Sequence, residues 1–302
     1  YILARTSLPI PVDLFLGRGV YVFPNYKNWF VPFSRSITWV YDVAFQKYPE
    51  TVRSKNRRYL QRNLKRWLSR TNKVLTISNV SAKEIGQYYP DSKKKVEVVY
   101  LGIDPETYYP RPQVEVQAIA RKYKLPEEYF LFVGNIEPRK NIGTLLEAYK
   151  EYSDRVKDPT PLLLVSDGGW DSEPVLQRVV ELQDQGYKII GPLSGVPDES
   201  LPALYSGAKA LLLMAIHEGF GLPPVEALAC GTPVIVSDLE VFREVLPREH
   251  VTLVSPMDEV ALSKALLAVS GKHFLGRSAF TWDLTVTSLL EASKEISKPG
   301  RM

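Results

Sequence analysis

The sequence predicts an α/β protein built on parallel, doubly wound sheets. Short runs that are apolar on both faces alternate with helical patterns, and glycine, proline or polar turn residues mark the joints. Strands buried between two helix layers need that unbroken apolar character, and regular βα alternation is the mark of parallel sheets. At 302 residues the chain is long enough for two domains of ordinary size.

From residue 129 the pattern is clearest. Strands are expected over Tyr129–Gly134, Pro161–Ser166, Tyr187–Gly191, Lys209–Met214, Thr232–Ser237 and Val251–Ser255. Helices are expected over Ile142–Ser153 with Asn141 as N-cap, then Pro174–Gln185, Glu199–Ser206, Pro223–Cys230 and Asp258–Val269. The first hundred residues repeat the theme less completely. Val20–Phe23, Ile37–Tyr41, Val74–Ile77 and Val96–Tyr100 read as strands, and Ser54–Arg70 and Ser81–Tyr89 as helices. Leu101–Pro105 reads as a linker. A complete dinucleotide-type half needs about two further βα units before Tyr1, so the first domain is expected to be incomplete. The domain boundaries predicted are therefore 1–104, 105–285, and a tail over 286–302. In that tail region Trp282, Leu284, Leu289, Leu290 and Ala292 suit an amphipathic helix packed across the domain junction.

Composition excludes several classes. The apolar fraction of 45% and charged fraction of 24% are those of a soluble globular protein. A net charge of +4 is too small to imply nucleic-acid binding by itself. The single cysteine, Cys230, rules out an intrachain disulfide framework and makes a reducing compartment the default. No apolar run approaches a membrane span and no secretory leader pattern opens the chain, so the expected location is cytoplasmic.

The sharpest signal is Glu218-Gly219-Phe220-Gly221-Leu222-Pro223-Pro224-Val225-Glu226, which follows a buried strand and enters a short helix. Pro223 and Pro224 suit the first helical turn, and Gly231 suits a left-handed stop at the helix end. The Gly-Phe-Gly loop lets backbone amides approach a ligand, and the helix N-terminus favours an anion such as a diphosphate. Carboxylates accept hydrogen bonds from hydroxyls, so a pair such as Glu218 and Glu226 spaced along a cleft suits a ribose at one end and a hexose at the other. The plainer alternative has Glu226 on a helix surface and Glu218 as a loop charge.

A second signal is Gly134-Asn135-Ile136-Glu137-Pro138-Arg139-Lys140-Asn141, between a strand and a helix N-terminus. Arg139 as a planar fork and Lys140 as a point charge can bridge phosphate oxygens and stabilise the charge that builds on a departing diphosphate. A solvated turn is the bland alternative. No Asp-x-Asp pair occurs to clamp a diphosphate through a divalent metal. The three histidines, His217, His250 and His273, have no metal-ligand spacing, and His217 reads as structural.

The Glu218-to-Glu226 phrase resembles the E-x7-E signature of retaining GT-B glycosyltransferases, glycosyltransferase family 4 in particular. The Glu137-to-Asn141 segment and Leu201-Pro202-Ala203-Leu204-Tyr205-Ser206 resemble the mannosyltransferase-like members. Tyr41-Asp42-Val43-Ala44-Phe45, Thr76-Ile77-Ser78-Asn79-Val80-Ser81 and Val99-Tyr100-Leu101-Gly102-Ile103-Asp104 extend the resemblance through the first half. It implies the GT-B fold, two Rossmann-like doubly wound domains facing a cleft, with the acceptor side N-terminal and the nucleotide-sugar donor side C-terminal. It implies a retaining hexosyltransferase using no metal cofactor, with mannose from GDP-mannose as the leading donor and a glycan or lipid-linked sugar as acceptor. Glu218, Arg139 and Lys140 would serve the reaction, and Glu226 would hold the donor ribose. Gly134, Asn135, Gly219, Phe220, Gly221, Leu222 and Tyr41 would complete the donor site.

Two residues depart from that pattern. Asn135 stands where many members have Arg, and Tyr41 where many have His, so Tyr41 either bonds to the reacting sugar or merely packs. The alternative function is a catalytically weakened GT-B subunit that binds nucleotide or a partner without transfer. A GT-B epimerase or phosphorylase is a third reading, which the E-x7-E phrase disfavours.

Between Thr51 and Lys73 the chain carries Arg53, Lys55, Arg57, Arg58, Arg62, Lys65, Arg66, Arg70 and Lys73 with no acidic residue. Leu60, Leu64, Trp67 and Leu68 make an apolar side. Such a helix either packs on a core with a solvated cationic face or lies on an anionic membrane, which would place the protein peripherally at the inner face.

Overall fold

The computed structural model describes residues 10–276 and 278–297. Residues 298–302 of the expected tail, Arg277 and residues 1–9 lie outside the described residues. The chain forms two compact units. One takes it to Gly102 and again from Trp282, and the other is Ile103–Thr281.

In the first unit β1 (Val20–Phe23), β2 (Arg35–Trp39), β3 (Lys73–Thr76) and β4 (Val96–Val98) form a parallel sheet in the order β1-β2-β3-β4. Its core gathers Val40, Val43, Phe45, Leu64, Trp67, Leu68, Val74 and Ile85. The helix Ser54–Arg70 contributes Leu64, Trp67 and Leu68 to it, with Leu60 packed at the margin, so the apolar side predicted for the basic segment faces inward. Two of the nine cations do not belong to the solvated face. Lys73 is buried and ion-paired with Glu97 at 2.5 Å and with Glu295, and half-buried Arg57 donates to the Pro49 carbonyl at 2.7 Å. Arg53, Lys55, Arg58, Arg62, Lys65, Arg66 and Arg70 are exposed.

The last helix, Trp282–Ser297, corrects the stripe expected there. Trp282, Leu284 and Leu290 are exposed, and the buried face runs through Thr285 and Ala292. Thr285 Oγ1 donates to the Tyr100 carbonyl at 2.8 Å, and Lys73 reaches Glu295. These polar anchors, with small Ala292 between them, set the face that a count of large apolar residues misplaces. The helix also begins four residues before the expected tail.

The second unit holds β5 (Tyr129–Val133), β6 (Leu162–Val165), β7 (Ile189–Leu193), β8 (Ala208–Leu213), β9 (Val234–Ser237) and β10 (Val251–Val254), all parallel. Their order is β10-β9-β8-β5-β6-β7. Phe130, Leu131 and Phe132 in β5, Leu162–Leu164 in β6, Leu211 and Leu212 in β8 and Ile235 in β9 are sealed from solvent, as strands covered on both faces must be. The buried tyrosines satisfy their hydroxyls on backbone: Tyr129 donates to the Leu204 carbonyl, and Tyr149 to the Thr160 and Lys188 carbonyls.

Strands β5, β6 and β7 step outward on one side, and the chain then returns to place β8 on the other side of β5. The sheet therefore reverses direction between β5 and β8. Open α/β sheets bind their ligands beyond the carboxyl ends of the strands at such a reversal.

Gly231 ends the helix Leu222–Ala229 with φ +80°, as the sequence predicts, and a Cβ there would meet the Phe274 carbonyl oxygen at 2.4 Å. Gly231→Ala is expected to lower the unfolding free energy by about 2 kcal/mol or more, through left-handed strain and that clash. Urea denaturation measures it, and an unchanged midpoint and slope would refute the constraint.

Candidate functional site

The loops that follow β5 and β8 carry the two sequence signals. Gly134 closes β5 with φ +145°, its amide donating to the Val165 carbonyl at 3.1 Å. A Cβ on it would lie 3.9 Å from Lys140 Cε, so the Lys140 stem runs close over this glycine. Exposed Asn135 follows, and the single 3-10 turn Pro138–Lys140 leads to Asn141. Asn141 takes a left-handed φ of 51° at the N-cap position, donates to the Pro256 carbonyl at 2.6 Å and accepts from Thr144 Oγ1. These bonds fix the turn that presents Arg139 and Lys140.

After β8 the chain runs through buried His217, Glu218 and Gly219. The Ile216 amide donates to the Arg139 carbonyl at 3.0 Å, which clips the two loops together. Lys140 Nζ then reaches Glu218 Oε1 at 2.5 Å, and Arg139 Nη1 reaches Glu218 Oε2 at 3.1 Å. Arg139 Nη1 also donates to the His217 carbonyl at 3.2 Å, while Nη2 pairs with Glu137 Oε1 at 3.1 Å. Three of the four predicted charges thus meet in one cluster, with Glu137 as an added member. Glu137 lay inside the recognised segment, but its proximity to two cations gave no sign which side chain it would bridge.

Burial pushes the Glu218 carboxyl up, but the Lys140 ammonium and then the Arg139 guanidinium outweigh it, holding the group down at about 2. The cations are well covered too, with side chains 19% exposed for Arg139 and 11% for Lys140. In such surroundings a charge persists only when paired. Lys140 spends one N–H on Glu218 and has two more for an incoming oxygen, since an ammonium carries three donors. The arrangement can therefore accept a further anion without first dismantling the cluster.

Gly221 precedes the helix Leu222–Ala229 with φ +90°, and a Cβ there would lie 2.5 Å from Phe242 Cε1. Two of the first four helical residues are Pro223 and Pro224, so the backbone donors of that terminus are confined to the Leu222 and Val225 amides. Phe220 is 2% exposed and meets the Phe280 ring edge-on at 5.2 Å. Its ring belongs to the core, and only its backbone can address a ligand.

Glu226 is placed differently. It is half-buried, and Tyr205 donates to its Oε2 at 2.7 Å. Tyr108 acts on the same carboxylate and favours its charged form. Burial raises its carboxyl above its ordinary value, nearby Asp198 adds to the rise, and the two phenols oppose it. Sequence reasoning gave Tyr205 and Tyr108 no role. The available signal was a tyrosine in an apolar helical segment, whose buried hydroxyl requires a partner.

Tyr41 lies in the first unit. Its hydroxyl donates to the Pro24 carbonyl at 2.6 Å and its ring stacks on Trp39 at 5.9 Å, so it packs and bonds locally. Among the described residues no group of three or more His, Cys, Asp or Glu side chains is placed to hold a metal.

Known proteins resemble this chain in sequence and in fold. The family model for glycosyl transferases group 1 matches residues 116–270. O-antigen chain mannosyltransferase B of Escherichia coli is 29% identical over 280 residues, covering 88% of this chain and 72% of its own length. O-antigen chain mannosyltransferase RfbU of Salmonella typhimurium is 34% identical over 230 residues, covering 75% of this chain. The chain spans 58% of that relative's length, and 30% of the serotype-specific mannosyltransferase WbdA of Escherichia coli. Among solved structures, sucrose-phosphate synthase from Thermosynechococcus elongatus aligns with a TM-score of 0.73 at 21% identity, over 95% of this chain and 75% of its own. A glycosyltransferase from Rickettsia africae gives 0.66 at 16% identity, over 96% and 79%. These likenesses bear out the GT-B fold.

Because the folded Glu218 carboxyl sits below its ordinary 4.5, the cluster contributes its full stability above about pH 4.5 and loses it as pH falls toward 2. The stability lost between those limits is on the order of 3 kcal/mol. Urea denaturation at pH 5, 4 and 3 should show a steeper loss in the wild type than in Glu218→Gln. Equal slopes would mean that the ion cluster does not form.

Proposed function

The chain belongs to the glycosyl transferases group 1, and from that premise we propose that it transfers mannose from GDP-mannose to a glycan or lipid-linked acceptor, with retention at the anomeric carbon. The observation that carries this reading is the Glu218 cluster, two cations and a carboxylate clipped together beyond the strands where the sheet reverses. The choice of mannose is supported by relatives named as mannosyltransferases.

The reaction asks for the following of this chain. The acceptor hydroxyl attacks the anomeric carbon from the face that the diphosphate leaves. The bond from that carbon to the phosphate oxygen breaks, its electron pair passing to the β-phosphate, and a phosphate oxygen takes the acceptor proton. Arg139 and Lys140 offset the charge gained by the diphosphate, so the reading calls for neither a protein nucleophile nor a divalent metal. Glu218, held by the same cations, accepts hydrogen bonds from the hexose hydroxyls, and Glu226 accepts from the ribose. The Gly219, Phe220, Gly221 and Leu222 backbone and the Gly134–Asn135 turn border the sugar and phosphates. A subunit that binds nucleotide without transfer is the second reading, and its basis is Tyr41, whose hydroxyl is engaged with Pro24.

Membrane contact is a further component of the proposal. The exposed cations of the helix Ser54–Arg70 suit the anionic inner face of a membrane, where a lipid-linked acceptor would lie. No helix among the described residues is long and apolar enough to cross a membrane.

Transfer should be read by product mass across GDP-, UDP- and dTDP-sugars, with EDTA present. GDP-mannose is expected to give the main product, and Glu218→Ala to reduce its formation by at least about a hundredfold, the scale of losing a preorganised charge contact. Full activity in Glu218→Ala would remove that residue from the reaction. For the membrane component, replacing Arg58, Arg62, Lys65 and Arg66 by Gln should weaken binding to phosphatidylglycerol vesicles by at least about tenfold. Undiminished sedimentation with vesicles would leave that helix a solvated face.

A further inference from the structure

Glu226 is the member of the motif that the ion cluster does not hold, and what holds it is unusual in origin. Tyr205 lies in the six-residue helix Leu201–Ser206 and is sealed from solvent. Its hydroxyl donates to Glu226 Oε2 at 2.7 Å, and its own carbonyl accepts from Thr232 Oγ1 at 2.5 Å, so both ends of the residue are fixed. Tyr108 comes from elsewhere. It sits six residues past the point where the chain enters the second unit, in a turn closed by Asp104. The Thr107 and Tyr108 amides donate to the Asp104 carbonyl, and the Asp104 carboxylate accepts from the Glu106 amide and Thr107 Oγ1. The turn is tied to the helix that bears Tyr205, since the Arg111 amide donates to Ser206 Oγ at 3.0 Å and Arg111 Nη2 to the Thr107 carbonyl at 2.8 Å. The two rings lie 6.3 Å apart; the Tyr205 hydroxyl bonds to Glu226, and Tyr108 acts on the same carboxylate.

We propose that Tyr205 and Tyr108 are positioning residues that hold the Glu226 carboxylate as a fixed acceptor for the two ribose hydroxyls of a nucleoside diphosphate. This rests on Glu226 facing the ribose. A carboxylate has two oxygens and about four acceptor directions. The phenols occupy some of these and fix the plane of the group, leaving the rest aimed in one direction. They also favour its charged form. Asp198 and Cys230 are the other titratable groups that interact with it, and Asp198 and burial favour its protonated form. The phenols are pushed up in their own pKa and remain donors. Without them, Glu226 would take up a proton nearer neutrality and lose acceptor capacity.

The test uses GDP, UDP and ADP, each beside its 2′,3′-dideoxy counterpart, with binding to the protein followed by calorimetry. The wild type is expected to prefer the ribose form of at least one base. Tyr205→Phe and Tyr108→Phe, which keep the ring and its packing, should each shrink that preference about tenfold, while affinity for the dideoxy form stays within about twofold. The pH below which ribonucleotide affinity falls should move upward in both variants. In a Glu226→Gln background Tyr205→Phe should change the preference no further, because the tyrosine acts through the carboxylate. Retention of the full ribose preference in both Phe variants would overturn the positioning role and spare the ribose reading. Equal weakening of ribose and dideoxy forms would reduce the tyrosines to structural residues. A wild type without ribose preference for any base would overturn both readings together.

Discussion

Strands β5 and β8 lie side by side, although some eighty residues separate the charges they deliver, and the ion cluster of the second unit depends on that adjacency. The Ile216 amide bonded to the Arg139 carbonyl turns neighbouring strands into neighbouring loops. Once the loops are clipped, Glu218 has little choice of partner. It is buried, and an isolated carboxylate there would protonate instead of remaining charged. Lys140 and Arg139 prevent this by direct contact. The glycines have a subordinate role in the same construction. Gly134 supplies the positive φ with which the chain leaves β5, and Gly221 turns the chain beside the Phe242 ring into the helix that carries Glu226.

A cluster of this kind is poorly explained as a device for stability. Desolvating several charges costs much of what their attraction returns, and apolar replacements of similar size often do as well. Its value is better sought in what it spares a reaction. Water around an exposed lysine would have to reorganise as charge builds on a leaving group, whereas cations already fixed by Glu218 and Glu137 would not. Pairing also limits how strongly the site attracts anions in general. Two carboxylates balance the two cations, so a diphosphate would have to gain from geometry and from the remaining Lys140 donors, which would favour a ligand of the right shape over free phosphate.

Much of this was legible in the sequence, and the failures have physical causes. Parallel strands in a covered sheet announce themselves because both faces are apolar, and β5, β6, β8 and β9 read clearly for that reason. The helix Gln113–Tyr123 was missed: Val114 and Val116 alternate with polar residues as in a strand, and only Val116 is buried. The six-residue helix Glu240–Val245 is too short to show a period. At the site, residue types within a loop could be read, but not the order of strands that decides which loops meet. The pairing of Glu218 with Arg139 and Lys140 is a consequence of topology, and local spacing contains no record of it. Tyr108 was hidden further, since a linker turn gives no reason to expect a side chain aimed at a helix more than a hundred residues later.

The two carboxylates of the motif show why their separation matters more than their identity. Both are glutamates, eight positions apart, yet their environments drive them in opposite directions. Glu218 is surrounded by ammonium and guanidinium groups and sits at about 2. Glu226 has burial and Asp198 against it, with two neutral phenols on its side, and is raised. Pairs of acids tuned apart in this way divide labour in many active sites. Here the division follows from one turn of backbone. Gly221 ends the loop that keeps Glu218 beside the cations, and the helix that begins at once carries Glu226 away to its tyrosines. A spacing altered by one residue would turn Glu226 by about 100° around the helix, away from Tyr205. The interval of eight is therefore a geometric requirement: one acid committed to fixed positive charge, and a second held by neutral donors that leave its acceptors available.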